Sequence, residues 1–249
     1  CGSRYFWRSP PTRCGGVPNS ALNSVMSSAL RPLLVMVWKD ILLEVRSKDI
    51  IISVLVFGFL VAVVFNFALN VSPQRVSELA AGILWVAFAF AGTLAMNRAF
   101  VKEKEQGGLE GLLLSPVSRD AVFLGKVLVS FLFMLIIEGL LLPVFAAMLG
   151  FSGLSWALIL TILLATLGFA TVGTLFSAIA VQTRSREIML PILFFPIILP
   201  VLIGAVEASN IALGYGSGIG LDRWLPLIGV FDALFLVICP WAFSFVVEE

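Results

Sequence analysis

WALILTILLATLGFATVGTLFSAIA, residues 156–180, contains no Asp, Glu, Lys or Arg. A helix rises about 1.5 Å per residue, so this run exceeds the roughly 20 residues that carry a helix across the hydrocarbon layer. Membrane strands are shorter, about 10 residues, and alternate apolar with polar side chains, whereas this run is apolar on all faces. The stretch therefore predicts a membrane-spanning helix. Outward from it the same reading applies to Ile50–Leu69, Leu79–Met96, Ala121–Leu149, Ile188–Val206 and Leu225–Val247. The expected fold class is all-α, a polytopic membrane protein of six spans. Composition excludes the soluble alternative: 60% of residues are hydrophobic and only 12% charged, with a mean hydropathy of +1.07, so the lipid bilayer is the main solvent. The third and fourth spans are long enough to need tilt or a kink.

Basic residues set the expected orientation. Arg4, Arg8, Arg13, Arg31, Lys39, Arg46 and Lys48 precede the first span, Arg98, Lys102, Lys104, Arg119 and Lys126 flank the second connection, and Arg184 and Arg186 lie in the fourth. Only Arg75 and Arg223 fall on the other side. Under the positive-inside rule both termini face the cytoplasm. A net charge of +1 gives no ground for nucleic-acid binding.

Residues 1–28 differ in kind, being polar and free of Asp and Glu while carrying Arg4, Arg8 and Arg13. They are expected to be a disordered or non-native tail upstream of a natural start near Met26; the alternative is an acid-poor organellar targeting segment, which would place the protein in the mitochondrial inner membrane. The permease domain is expected over 29–249. Cys1, Cys14 and Cys239 have neither metal-ligand nor disulfide spacing. Leu30, Leu33, Leu34, Val37, Trp38, Ile41, Leu42 and Val45 form one apolar stripe at helical spacing opposite Arg31, Lys39, Asp40 and Glu44, which predicts an amphipathic helix in the headgroup layer leading into the first span.

The most organised polar segment is the connection after the second span, NRAFVKEKEQGGLEGLLLSPVSRD, residues 97–120. A charged stretch, Lys102 to Glu105, meets Gly107 and Gly108, which permit a sharp turn. Leu109, Leu112 and Leu113 then share one face of a short helix that Ser115 and Pro116 end. An exposed apolar face there needs a covering surface: either a partner, or this protein's own helices if the segment is a reentrant turn.

This segment resembles the coupling region of ABC-2 type exporter permeases, in which an acidic stretch is followed by Gly, a small residue, Leu-Glu, a Leu run and Ser-Pro. More narrowly, Gly82-Ile83-Leu84-Trp85-Val86-Ala87, Gly108-Leu109-Glu110 with Leu112-Leu113-Leu114-Ser115-Pro116, and Lys126-Val127-Leu128 are similar to the cytochrome c maturation B (haem exporter B) permeases. The similarity continues through Arg184 and Arg186 to a fifth span punctuated by Pro196 and Pro200, and covers roughly Leu30 to Val247. Departures are Gly108 for Ser, Gly111 for Gln, and Asn97 where an acidic residue commonly stands. The resemblance implies a homodimeric permease of the bacterial inner membrane that recruits a separate cytoplasmic ABC ATPase. It further implies a haem-handling membrane subunit, a small single-span subunit and a periplasmic haem chaperone, whose haem-loaded form ATP hydrolysis releases for attachment of haem to c-type cytochromes. On this reading Glu105, Gly107, Gly108, Leu109, Glu110, Leu112, Leu113, Leu114, Ser115 and Pro116 couple the ATPase to the spans.

Several features bear on cofactors and on the class of function. G-x-x-x-x-G-K-[ST] does not occur in the sequence, so ATP is expected to be used through the partner subunit and the chain itself is not expected to be an enzyme. Haem iron is held mostly by His, with Met, Cys or Tyr as other options. This chain has no His, and Met134 and Met148 in the third span read as packing, so no haem, cofactor, metal or catalytic residue is assigned. The alternatives are an ABC-2 exporter for another cargo, such as a lipid, glycan or drug, and a scaffold or secondary carrier. The coupling segment argues against the last.

Ionisable side chains within spans are costly and stand out for that reason: Glu138 in the third span and Asp232 in the sixth have no basic residue at comparable depth. Glu138 is expected to be protonated or hydrogen-bonded to a hydroxyl or amide such as Asn66 or Thr166; the functional alternative is a polar lining or a partner contact. Ala170, Gly173, Thr174, Ser177 and Ala178 form a small-residue stripe that permits close helix approach. Pro191, Pro196 and Pro200 predict a kinked or partly unwound fifth span. Glu207 to Asp222, with Gly214, Gly216, Gly218 and Gly220, reads as a reentrant dip or a flexible loop.

Overall fold

The structure is a computed structural model that describes residues 48–68, 73–105, 119–150, 155–182, 186–215 and 220–246. The described residues form six helices: α1 Lys48–Ala68, α2 Pro73–Glu105, α3 Arg119–Leu149, α4 Trp156–Gln182, α5 Arg186–Ala212 and α6 Leu221–Val246. Each contains a window long and apolar enough to cross a membrane, and no strand occurs among the described residues. The protein is a polytopic, all-helical membrane protein. The expected tail over 1–28 and the surface helix over 30–45 lie outside the described residues, as does the connection from Gln106 to Ser118.

Two helices run further than their apolar spans. Asn97 to Glu105 continues α2 rather than opening a loop, because that stretch contains no Gly or Pro and five of its last eight residues are Arg, Lys or Glu, which favour helix. At the other side, Glu207 to Ala212 belongs to α5. That leaves a short connection, in which Gly214 adopts φ 87° just after the helix and its N–H donates to the Ile211 carbonyl, ending α5 where a side chain would be strained. The fifth span is also not unwound: helix assignment is continuous through Pro191, Pro196 and Pro200. Each proline withdraws a single N–H donor and the flanking turns keep theirs, so the loss stays local.

Neighbouring helices alternate in direction. At one end the Asn66 side-chain amide of α1 donates to the Met148 carbonyl near the end of α3, 2.9 Å away. At the opposite end Phe123 near the start of α3 packs on Phe243 near the end of α6, ring centroids 5.2 Å apart. The centre is α4, which touches α2, α3, α5 and α6, while α1 lies outside on α2 and α3.

Lipid tails are as apolar as leucine, so helices in a membrane gain little from hiding apolar surface and associate through close packing and polar contacts. The small-residue stripe of α4 supplies that packing. Ala170, Thr174, Ser177 and Ala178 are buried, and at Gly173 the Met96 Cε of α2 sits 2.6 Å from where a Cβ would be. Phe169 of α4 meets Phe194 of α5 edge-on at 4.6 Å, and the Met134 methyl of α3 fills the space beside Gly92 of α2.

Candidate functional site

Two carboxyl side chains of the spans converge on the middle of α4. Glu138 of α3 and Asp232 of α6 are each 3% exposed, which places both carboxyl groups inside the bundle rather than against lipid. Thr166 of α4 donates its hydroxyl to Glu138 Oε2 at 2.7 Å. Of the two partners expected for Glu138, Thr166 takes the role and Asn66 does not, its amide being committed to Met148 at the end of the bundle. Glu138 Oε1 has no hydrogen-bond partner among the described residues.

Asp232 is placed differently. Its carboxylate lies against Gly168 of α4, so close that a Cβ at that position would collide with Oδ1. Among the described residues neither of its oxygens has a hydrogen-bond partner. Gly168 is a site residue that the sequence reading passed over. Residues 166 and 168 are about 3 Å apart along the helix axis and about 200° apart around it. Two carboxyl groups therefore address α4 at nearly one depth from nearly opposite sides, one bonded through a single oxygen to a hydroxyl and the other seated on bare backbone.

Three other hydroxyls of the spans are spent locally. Thr93, Thr161 and Thr171 donate to the carbonyls of Ala89, Ala157 and Leu167 on their own helices at 2.7–2.8 Å, a satisfaction that needs no neighbour. Ser177 Oγ and Asn210 Oδ1 are buried without a partner among the described residues. Towards the end where α2 begins, the Trp85 indole N–H donates to Ser209 Oγ at 2.9 Å, tying α2 to α5. Trp85 carries the motif of the second span, and this bond, invisible to spacing arguments, gives that position a structural task.

The chemistry open to this set is limited. No group of three or more His, Cys, Asp or Glu among the described residues could hold a metal ion. Of the sulfur-bearing side chains, Met96 and Met134 turn into the core beside Gly173 and Gly92, and Cys239 is wholly buried. What the site can do is hold α3 and α6 against α4. Of the coupling residues named from the sequence, the backbone of Glu105 ends α2, while Gly107, Gly108, Leu109, Glu110, Leu112, Leu113, Leu114, Ser115 and Pro116 lie outside the described residues.

Comparison with known proteins supplies what the geometry leaves open. The family model described as CcmB protein matches residues 31–249. Heme exporter protein B of Haemophilus influenzae is 30% identical over 187 residues, covering 74% of this chain and 85% of the relative. The protein of the same name from Pseudomonas aeruginosa is 31% identical over 194 residues, 76% and 84% of the two chains. That from Escherichia coli K12 is 30% identical over 218 residues, 83% and 95%. A match that runs from the approach to the first span through all six helices leaves no part of the membrane domain unaccounted for, and the chain belongs to the CcmB family.

Proposed function

We propose that this chain is the permease subunit of an ABC-type complex of the bacterial inner membrane that serves haem delivery for c-type cytochromes. In this reading it works as a dimer with a separate cytoplasmic ATPase and couples ATP hydrolysis to release of the haem-loaded periplasmic chaperone from a haem-handling membrane subunit and a small single-span subunit. Both termini face the cytoplasm, following the distribution of Lys and Arg. The observation that carries the reading is the family match over 31–249 together with the shared name of the relatives, Heme exporter protein B.

The architecture supports a mechanical role for the connection at 106–118. It joins the last residue of α2, Glu105, to the first of α3, Arg119, and α3 touches α1, α2, α4 and α6. A push delivered there enters the bundle through the helix with contacts to most of the others. Glu138, midway along that helix, is bonded to α4, so displacement of α3 along its axis strains the polar contact at the centre.

Deletion of the gene followed by staining of membranes for covalent haem tests the proposal. Loss of all c-type cytochromes, with haem retained on the chaperone complex, is the expected result. Normal cytochrome content in the deletion strain rejects it.

A further inference from the structure

Pro143 stands inside α3 and has no N–H, so the carbonyl four residues earlier, that of Gly139, loses its helical donor. Membrane helices make good such a loss by a local 3-10 or π turn, by a Ser or Thr hydroxyl, by a neighbouring helix, or by water. Gly139 has none of the first three among the described residues. The helix stays α-helical through Pro143, with no 3-10 or π turn. From Leu135 to Ala147 it contains no Ser or Thr, and no described side chain donates to Gly139. Depth removes the fourth remedy. The ten residues from Gly139 to Leu149 rise about 15 Å, half of the roughly 30 Å hydrocarbon layer, so the carbonyl lies near the bilayer centre and away from water and headgroups.

The acceptor opens on an uncovered face. Gly139, Pro143 and Ala147 follow one another at helical spacing and all three are exposed. A Cβ at 139 would meet nothing within 4 Å, and Leu140 and Ile136 flank the position at 46% and 38% exposed. Pro196, Pro200 and Pro240 cause the same loss at Ile192, Pro196 and Leu236, but those residues carry side chains of their own. At Gly139 the backbone is bare, and the small residues above it let another helix approach closely.

Lipid tails have no donor to offer, and neither has a second copy of these helices. The exposed side chains with a donor among the described residues are Ser53, Arg119, Trp156, Tyr215, Arg223 and Trp241, each at or within two turns of a helix end. We infer that this face of α3 seats a membrane-spanning helix of a different polypeptide, which donates a hydroxyl, amide or indole hydrogen to the Gly139 carbonyl at the midplane. The inference rests on the proposed function only in that the chain assembles with other membrane subunits, and it does not depend on their cargo.

Photo-crosslinking of the full chain in its native membrane tests the seat, with p-benzoylphenylalanine in place of Leu140 and, as a control, in place of Val230, which is 70% exposed on α6. Mass spectrometry of the adducts should show, for position 140 alone, a membrane-spanning segment of another polypeptide with Ser, Thr, Asn, Gln or Trp within one turn of the crosslink. Gly139→Leu closes the approach and should lower the yield of that adduct at least tenfold. Pro143→Ala returns an N–H to the Gly139 carbonyl and should lower it at least threefold. Both positions are exposed, so chain abundance should be unchanged in either variant. Adducts at 140 only with lipid or with a second copy overturn the inference, as does a partner segment without a donor at that level. A yield unaffected by both Gly139→Leu and Pro143→Ala overturns it as well. None of these readouts uses cytochrome content, so this inference and the proposed function can fail separately.

Discussion

Thr166 Oγ1 on α4 holds Glu138 Oε2 on α3 at 2.7 Å, with both residues buried inside the bundle. A hydroxyl–carboxyl bond between membrane helices is worth roughly 0.6–2 kcal/mol, because the separated helices also find partners. Thr166→Val preserves shape and removes the donor, so it should destabilise the protein by about 1–2 kcal/mol. Glu138→Gln keeps an acceptor and should retain both stability and cytochrome maturation, while Glu138→Leu should lose more than Thr166→Val. Thermal unfolding in detergent measures the first effect and haem staining the second. A Glu138→Gln protein that is stable but inactive would show that the carboxylate serves the reaction cycle rather than the fold.

The contact between Gly168 and Asp232 gives a steric prediction. A methyl group at 168 meets Asp232 Oδ1, so Gly168→Ala must push α6 away from α4 or twist the carboxylate. Overpacking of this kind costs about 1–3 kcal/mol. Gly168→Ala should therefore lower the unfolding temperature, and Asp232→Ala in the same chain should recover most of the loss by clearing the space. A double variant as unstable as the sum of the two single changes would refute direct contact as the cause.

The spans were legible because lipid imposes a simple rule: a helix core without charge, about 20 residues long. Charge runs and glycines were less informative at the borders. Asn97–Glu105 is polar yet helical, since outside the bilayer polar residues with good propensity extend a helix as readily as they end it. Glu207 looked like the start of a loop for the same reason and lies within α5. Within the site, Glu138 and Asp232 could be named from their cost in lipid, and Thr166 was nameable as a hydroxyl at comparable depth. Gly168 could not be chosen from the other small residues of α4, because its role depends on how α6 is rotated, which side-chain packing decides. The Arg119–Ser244 contact joins residues far apart in the chain and had no local signal at all.

Trp85 offers a test of the α2–α5 contact. Its indole donates to Ser209 Oγ at 2.9 Å, with the two side chains 2% and 0% exposed, so neither has water as a substitute partner. Trp85→Phe retains much of the ring packing against Phe88 but leaves the serine hydroxyl without its donor. A loss of about 1 kcal/mol is expected. Ser209→Ala should cost a similar amount, and the double variant should cost less than the sum, since both changes delete the same bond. Strict additivity in that cycle would show that the tryptophan acts through its bulk alone.

The last prediction addresses coupling. The proposed docking face consists of Leu109, Leu112 and Leu113, so a charge placed on it should weaken attachment of a partner far more than it affects the spans, which lie elsewhere in the chain. Leu109→Asp and Leu113→Asp should each release the ATPase from membranes and abolish cytochrome maturation, while the permease remains inserted at the wild-type level. Leu114→Asp, off that face at helical spacing, should have the smaller effect. Membrane fractionation with quantification of both subunits separates the outcomes. If the segment is instead packed on this chain's own helices, the charge will lower permease abundance along with the ATPase. If ATPase retention is unchanged in both variants, the docking assignment is wrong and the force must enter the bundle somewhere other than the connection from α2 to α3.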